Sequence, residues 1–164
     1  VDIIQAVGRA IRKSENKEIG TIVLPVLIPG GSNAEEALED TAFKPIWAIL
    51  NALKSHDEEF AIELNNLRTE LGRTEKVEVL PTRIVEDLPL DIDSLLPNFI
   101  SQFTITLVGL TGETWNYWYG MLLDYVEQVG TSHINQVVLW RGKALGQWVN
   151  KQRTSFRRNK LTQQ

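Results

Sequence analysis

Gln5, Gly8, Arg9 and Arg12 stand in the spacing Q-x-x-G-R-x-x-R near the start of the chain. Asp2 can cap a helix there, with Gln5 three residues on in the place of a capping-box partner. Ile4, Val7 and Ile11 then recur at helical spacing as a stripe for burial. Gln5, Arg9 and Arg12 fall at i, i+4 and i+7, on a different face. A guanidinium keeps its charge and offers forked donors, so two of them one turn apart can converge on an anion across a cleft. Gly8 would leave room for close backbone approach. On spacing alone, a surface helix with three polar residues is the simpler account.

A second chemical signal lies at the other end. All 21 acids occur at or before Glu127, where ten Lys and Arg leave a net charge of −11. The 37 residues from Gln128 to Gln164 carry Arg141, Lys143, Lys151, Arg153, Arg157, Arg158 and Lys160 and no acid, a net +7. That asymmetry fits an anionic partner, with nucleic acid the first candidate. A solvated basic helix accounts for the charge equally well. Trp140 adjoins Arg141 in a loop, a place from which an indole can stack on a base. Trp115, Trp118, Leu145 and Trp148 fall instead on faces that helices must bury.

Composition excludes several chemistries. The 164 residues are 43% hydrophobic and 23% charged, a globular balance. There is no cysteine, so no disulfide or thiolate metal site can form. With only His56 and His133, no metal site is expected. The longest apolar run, Ile19 to Pro29, is too short for a membrane span and contains Gly20 and Pro25. No secretory signal is visible, and a cytoplasmic protein without a membrane partner is the expectation.

These residues need elements to hold them. A helix to about residue 16 is followed by the β-branched run "IGTIVLPVLIPGG", read as a mostly buried strand. Residues 33–71 are helical in pattern, with a break at Phe43-Lys44 and a fresh start at Pro45. Ser55 or Asp57 caps a further helix with Phe60, Leu64, Leu67 and Leu71 on one side, and Gly72 is its natural stop. "TRIVEDLP" reads as a short strand. Residues 93–108 read as a helix capped by Asp93 or Ser94 and weakened at its end by Thr104, Ile105 and Thr106. "GLTGET" is a hinge. Thr114 then caps a helix with Trp115, Trp118, Leu122, Tyr125 and Val126 on its apolar face, stopped by Gly130. A loop leads to a helix over about 143–158, and Leu161-Thr162 resembles the cap of one more. The fold class expected is mixed α/β, mostly helical.

Gln5, Gly8, Arg9 and Arg12, with the flanking "VDIIQ" and the strand after them, resemble motif VI of superfamily 2 helicases, in the second RecA-like domain. The pattern Trp115, Leu122, Tyr125, Gly130 and "LGQWVNKQR" at Leu145 to Arg153 resembles the helicase-associated domain of bacterial helicases. Asn135 stands near where many members have proline. Both matches occur in the family's order, so the chain looks like the C-terminal part of a DEAD/DEAH-type helicase. The resemblance implies residues 1–31 as the end of a RecA-like α/β domain and 32–112 as a helical connector. It implies 113–164 as a three-helix module, truncated before its third helix. It also implies that Arg9 and Arg12 reach the γ-phosphate of ATP with Mg2+, held mainly by the other RecA-like domain, while Gln5 couples nucleotide to that domain. Gly8 belongs to the same nucleotide-facing set. For the module it implies nucleic-acid binding, DNA before RNA, through Trp140, Arg141, Lys143, Lys151, Arg153, Arg157, Arg158 and Lys160.

No G-x-x-x-x-G-K-[ST] loop and no D-E-x-[DH] motif occur in the sequence. Phosphoryl transfer needs that phosphate cradle and metal site, so these 164 residues are not expected to hydrolyse ATP alone. The alternative reading is a non-catalytic nucleic-acid-binding or protein-interaction module.

Overall fold

The computed structural model describes residues 22, 38, 43–77, 79–82, 84, 96–110, 115–158 and 160. Among them five helices are bounded: α1 (Lys44–His56), α2 (Glu58–Thr74), α3 (Leu96–Leu110), α4 (Trp115–Val129) and α5 (Leu145–Arg157). None of the described residues lies in a strand; Trp140 and Lys143 form an isolated antiparallel bridge. The helical part of the expected fold class is therefore present. The expected α/β remnant over 1–31, apart from Ile22, lies outside the described residues. So do the caps at Asp93, Ser94, Thr114 and Leu161-Thr162. Among the described residues, no helix is long and apolar enough to cross a membrane.

The chain divides into two compact units, Val1–Leu67 with Lys76–Glu113, and Arg68–Glu75 with Thr114–Gln164. In the first, α1 begins where the sequence demands. Pro45 occupies its first turn, where a missing N–H leaves nothing unpaired. Ile46, Ile49 and Leu50 bury one face. The helix ends at Asp57, whose backbone is extended (φ −123°, ψ 104°) and whose side-chain oxygen accepts the Phe60 N–H at 3.0 Å. That cap starts α2, and Glu58 and Glu59 in its first turn favour the positive end of the helix dipole.

Leu38, Phe43, Ile46, Leu50, Phe60, Leu64, Phe103 and Leu107 make this unit's core. Phe43, Trp47, Phe99 and Phe103 interlock at its edge, with Trp47 and Phe103 closest at 5.0 Å between centroids. α3 runs past the β-branched Thr104-Ile105-Thr106 that the sequence marked as weak. The reason is tertiary. Thr104 is fully buried and donates its hydroxyl to the Val79 carbonyl at 3.1 Å, so packing overrides its modest helix propensity. Of the expected "TRIVEDLP" strand, Thr82 and Ile84 are described, and neither is extended into a sheet. The Ile84 N–H closes a turn on the Pro81 carbonyl at 2.8 Å instead.

In the second unit, Gly72 is not the stop its sequence implied. α2 continues to Thr74, and Glu75 terminates it in a left-handed conformation (φ 60°). Gly72 has a packing role instead. A Cβ there would overlap the Tyr117 carbonyl of α4, and one on Gly120 would overlap the Thr69 carbonyl of α2. The two glycines let the helix backbones touch. Arg68 is buried beside this crossing, and desolvation pulls its guanidinium below the usual arginine range. Arg73 meets Glu127 at 2.7 Å on the surface. Gly130 ends α4 as expected, at φ 78° with its N–H on the Val126 carbonyl.

Candidate nucleic-acid interface

The basic residues singled out in the sequence cluster in the second unit, on α5 and on the loop from Gly130 to Ala144 that joins α4 to it. Met121, Tyr125, Ile134, Leu145 and Val149 form the core beneath them. On α4, Met121 and Tyr125 place one stripe inward, and Asp124 comes inward with them at 6% exposure. A buried carboxylate requires partners. Asp124 Oδ2 accepts the Trp140 indole N–H at 2.6 Å and pairs with the Arg141 guanidinium at 2.8 Å. Tyr125 packs edge-on against the Trp140 ring, 5.0 Å between centroids.

Those contacts fix a two-residue turn. Trp140 and Lys143 exchange both backbone hydrogen bonds, each at 2.9 Å. Between them Arg141 has φ 47° and Gly142 φ 74°, the double positive pattern of a type I′ hairpin turn. Glycine takes such a conformation freely. Arginine does so at a cost of about 1 kcal/mol, which the Asp124 pair offsets.

The rest of the loop lacks regular structure but is braced. Arg153 of α5 donates to the Ile134 carbonyl at 2.9 Å and to the Ser132 carbonyl at 3.0 Å. The Val138 carbonyl accepts the Gly146 N–H at 3.0 Å, and Asn135 Oδ1 accepts the Val137 N–H at 3.3 Å. A Cβ on Gly146 would overlap the Asn135 carbonyl, so the start of α5 lies directly against the loop. Lys143 donates to the Tyr117 hydroxyl at 2.7 Å.

The eight predicted interface residues thus fall into two groups. Trp140, Arg141, Lys143 and Arg153 have protein partners, and Arg153 braces the fold in a way that its charge alone did not foretell. Lys151, Arg157, Arg158 and Lys160 are exposed, and among the described residues none forms an ion pair with an acid. Lys151 lies on the exposed side of α5, and Arg158 caps the C-terminal end of that helix. Of the four residues expected to be buried, Leu145 is fully so and Trp115 is half-buried, while Trp118 and Trp148 are half-buried and pack against the core. Their rings stack at 6.2 Å, and Trp115 meets Trp148 edge-on at 5.9 Å.

Asp124 and Tyr117 escaped sequence reasoning. The one signal for Asp124 was an acid at the spacing of the apolar stripe, three residues after Met121 and next to Tyr125. Gln5, Gly8, Arg9 and Arg12 lie outside the described residues. Among the described residues no group of three His, Asp or Glu side chains could hold a metal ion.

Exposed cations on a segment whose sequence carries no acid suit phosphates, which such residues contact without reading base sequence. No curated protein and no solved structure matches the chain. A family model does: residues 112–164 match the Helicase associated domain. That stretch, similar to a domain found in helicases, takes in α4, the braced loop and the exposed cations of α5 together.

Proposed function

We propose that residues 112–164 bind nucleic acid as an accessory module of an ATP-dependent helicase or translocase acting on DNA. What carries the reading is that the stretch similar to helicase-associated domains also bears Lys151, Arg157, Arg158 and Lys160 exposed on a segment without acids. Phosphate contacts there would hold the module on its track while the motor moves. Residues 1–31 then end the motor's second RecA-like domain. In the intact protein Arg9 and Arg12 would meet the γ-phosphate of ATP·Mg2+, which supplies the free energy of the cycle, with Gln5 and Gly8 beside them. Two permanent charges there would stabilise negative charge developing on the phosphoryl oxygens.

The binding claim is tested with Lys151→Ala, Arg157→Ala and Arg158→Ala combined. Arg153 is left in place because it holds the loop. The expected result is weaker duplex binding and a salt slope shallower by roughly 0.9 for each phosphate that is no longer neutralised. An unchanged slope would refute it. For the motor, Arg9→Ala in the intact protein should abolish nucleic-acid-stimulated ATPase while sparing nucleic-acid binding; normal ATPase would remove the arginine-finger role.

A further inference from the structure

Two side chains on the braced loop run against its polar character. Val137 is 73% exposed and Leu139 65% exposed. They alternate with Val138 and Trp140, which pack against the core. Val137 stands in the turn that the Val138 N–H closes on the Asn135 carbonyl, Leu139 just before the Trp140–Lys143 bridge, and both are left to solvent on either side of Val138. Isolated exposed aliphatics are ordinary on protein surfaces. These two stand on a backbone held from both directions. The Val138 N–H and carbonyl are both bonded, to Asn135 and Gly146, and Trp140 is fixed by Lys143 through the backbone and by Asp124 through its indole. A loose loop could fold them inward; this one holds them out.

We infer that Val137 and Leu139 form an apolar wedge that enters between bases where paired nucleic acid opens into single strands. The inference rests on the nucleic-acid reading above and names its substrate class, a forked or junction-containing duplex. Aliphatic side chains on a rigid support can insert at a base step and unstack it, provided nearby cations hold the backbone. Those cations are present in the same segment. Arg141 and Lys143 follow Leu139 closely but are engaged by Asp124 and Tyr117, so the phosphate contacts fall to the exposed Lys151, Arg157, Arg158 and Lys160, and no acid occurs after Glu127 in the sequence. The charge complements phosphate and opposes an equally basic surface. Breathing pairs at a junction expose base faces that an intact duplex hides, so the wedge favours the fork.

The test uses the full chain with a fork, a blunt duplex and a single strand of one sequence, each end-labelled for anisotropy, and 2-aminopurine at the junction pair. Wild type should bind the fork more tightly than the blunt duplex and raise the 2-aminopurine signal. Val137→Ser with Leu139→Ser should reduce fork affinity about tenfold, remove the fluorescence rise and leave single-strand affinity unchanged. Leu139→Met should retain the wild-type behaviour. Both positions are exposed, so the fold should persist, and circular dichroism checks it. Equal wild-type affinity for fork and duplex, or an undiminished fork preference in the double variant, overturns the wedge and leaves the pair as a protein-facing surface. Absence of binding to all three probes overturns the nucleic-acid reading and the wedge with it. Binding with a normal salt slope but no fork preference overturns the wedge alone.

Discussion

Replacing Asp124 tests whether one carboxylate organises the loop. Its Oδ2 carries both the Trp140 indole and the Arg141 guanidinium. A hydrogen bond to a charged group contributes about 1.5–3 kcal/mol. The Arg141 side chain retains 27% exposure, so its share is screened and falls toward the low end. Asp124→Ala also leaves the indole N–H without its acceptor. Against these losses, a freed turn can relax the left-handed Arg141, returning about 1 kcal/mol. The net expectation for Asp124→Ala is a loss of about 3 kcal/mol. Asp124→Asn keeps an acceptor of the same size but no charge, and should lose about half as much. Arg141→Gly removes the strain but leaves the buried Asp124 carboxylate with the indole and no cation, so it should cost about 1 kcal/mol net. In the Asp124→Asn background the same change should become stabilising by about 1 kcal/mol, a coupling that a double-mutant cycle isolates. Urea unfolding followed by tryptophan fluorescence gives the free energies. Hydrogen exchange at the Trp140 and Lys143 amides reports the turn. An Asp124→Ala protein within about 0.5 kcal/mol of wild type, its exchange unchanged, would refute the reasoning.

Gly72→Ala and Gly120→Ala should each destabilise by about 1–3 kcal/mol in urea, because each new methyl meets backbone rather than a side chain that can move aside. Wild-type stability in either would contradict the close crossing. Arg153→Ala should leave the Ser132 and Ile134 carbonyls without their guanidinium donors. It should speed amide exchange across residues 131–143 and lower stability by about 1–2 kcal/mol, and unaltered loop exchange would show that the brace is not needed.

Helix pattern was readable wherever one stripe answered to one core. Phe60 and Leu64 in α2, and Leu145 and Val149 in α5, are buried as their spacing required. Pro45 and Gly130 marked boundaries because their backbone chemistry is local. Gly72 misled for the opposite reason. A glycine that ends a helix and one that lets another helix approach are the same letter, and only the Tyr117 carbonyl distinguishes them. The division of the cations was hidden likewise. Arg153 and Arg157 are alike in sequence, yet the first reaches loop carbonyls brought beneath α5 by the chain's return. Periodicity carries no information about such a partner. Asp124 was obscured by its own charge, which argues for the surface until Trp140 and Arg141 are found beside it.

The Gly72–Gly120 approach is reciprocal, and that bears on how this sequence can drift. A larger residue at either position meets peptide groups of the facing helix, so no rotamer adjustment accommodates it and a change at one site gains nothing from a second change at the other. The pair should therefore behave as a fixed gauge between α2 and α4, retained together through divergence or lost together with a re-set helix spacing.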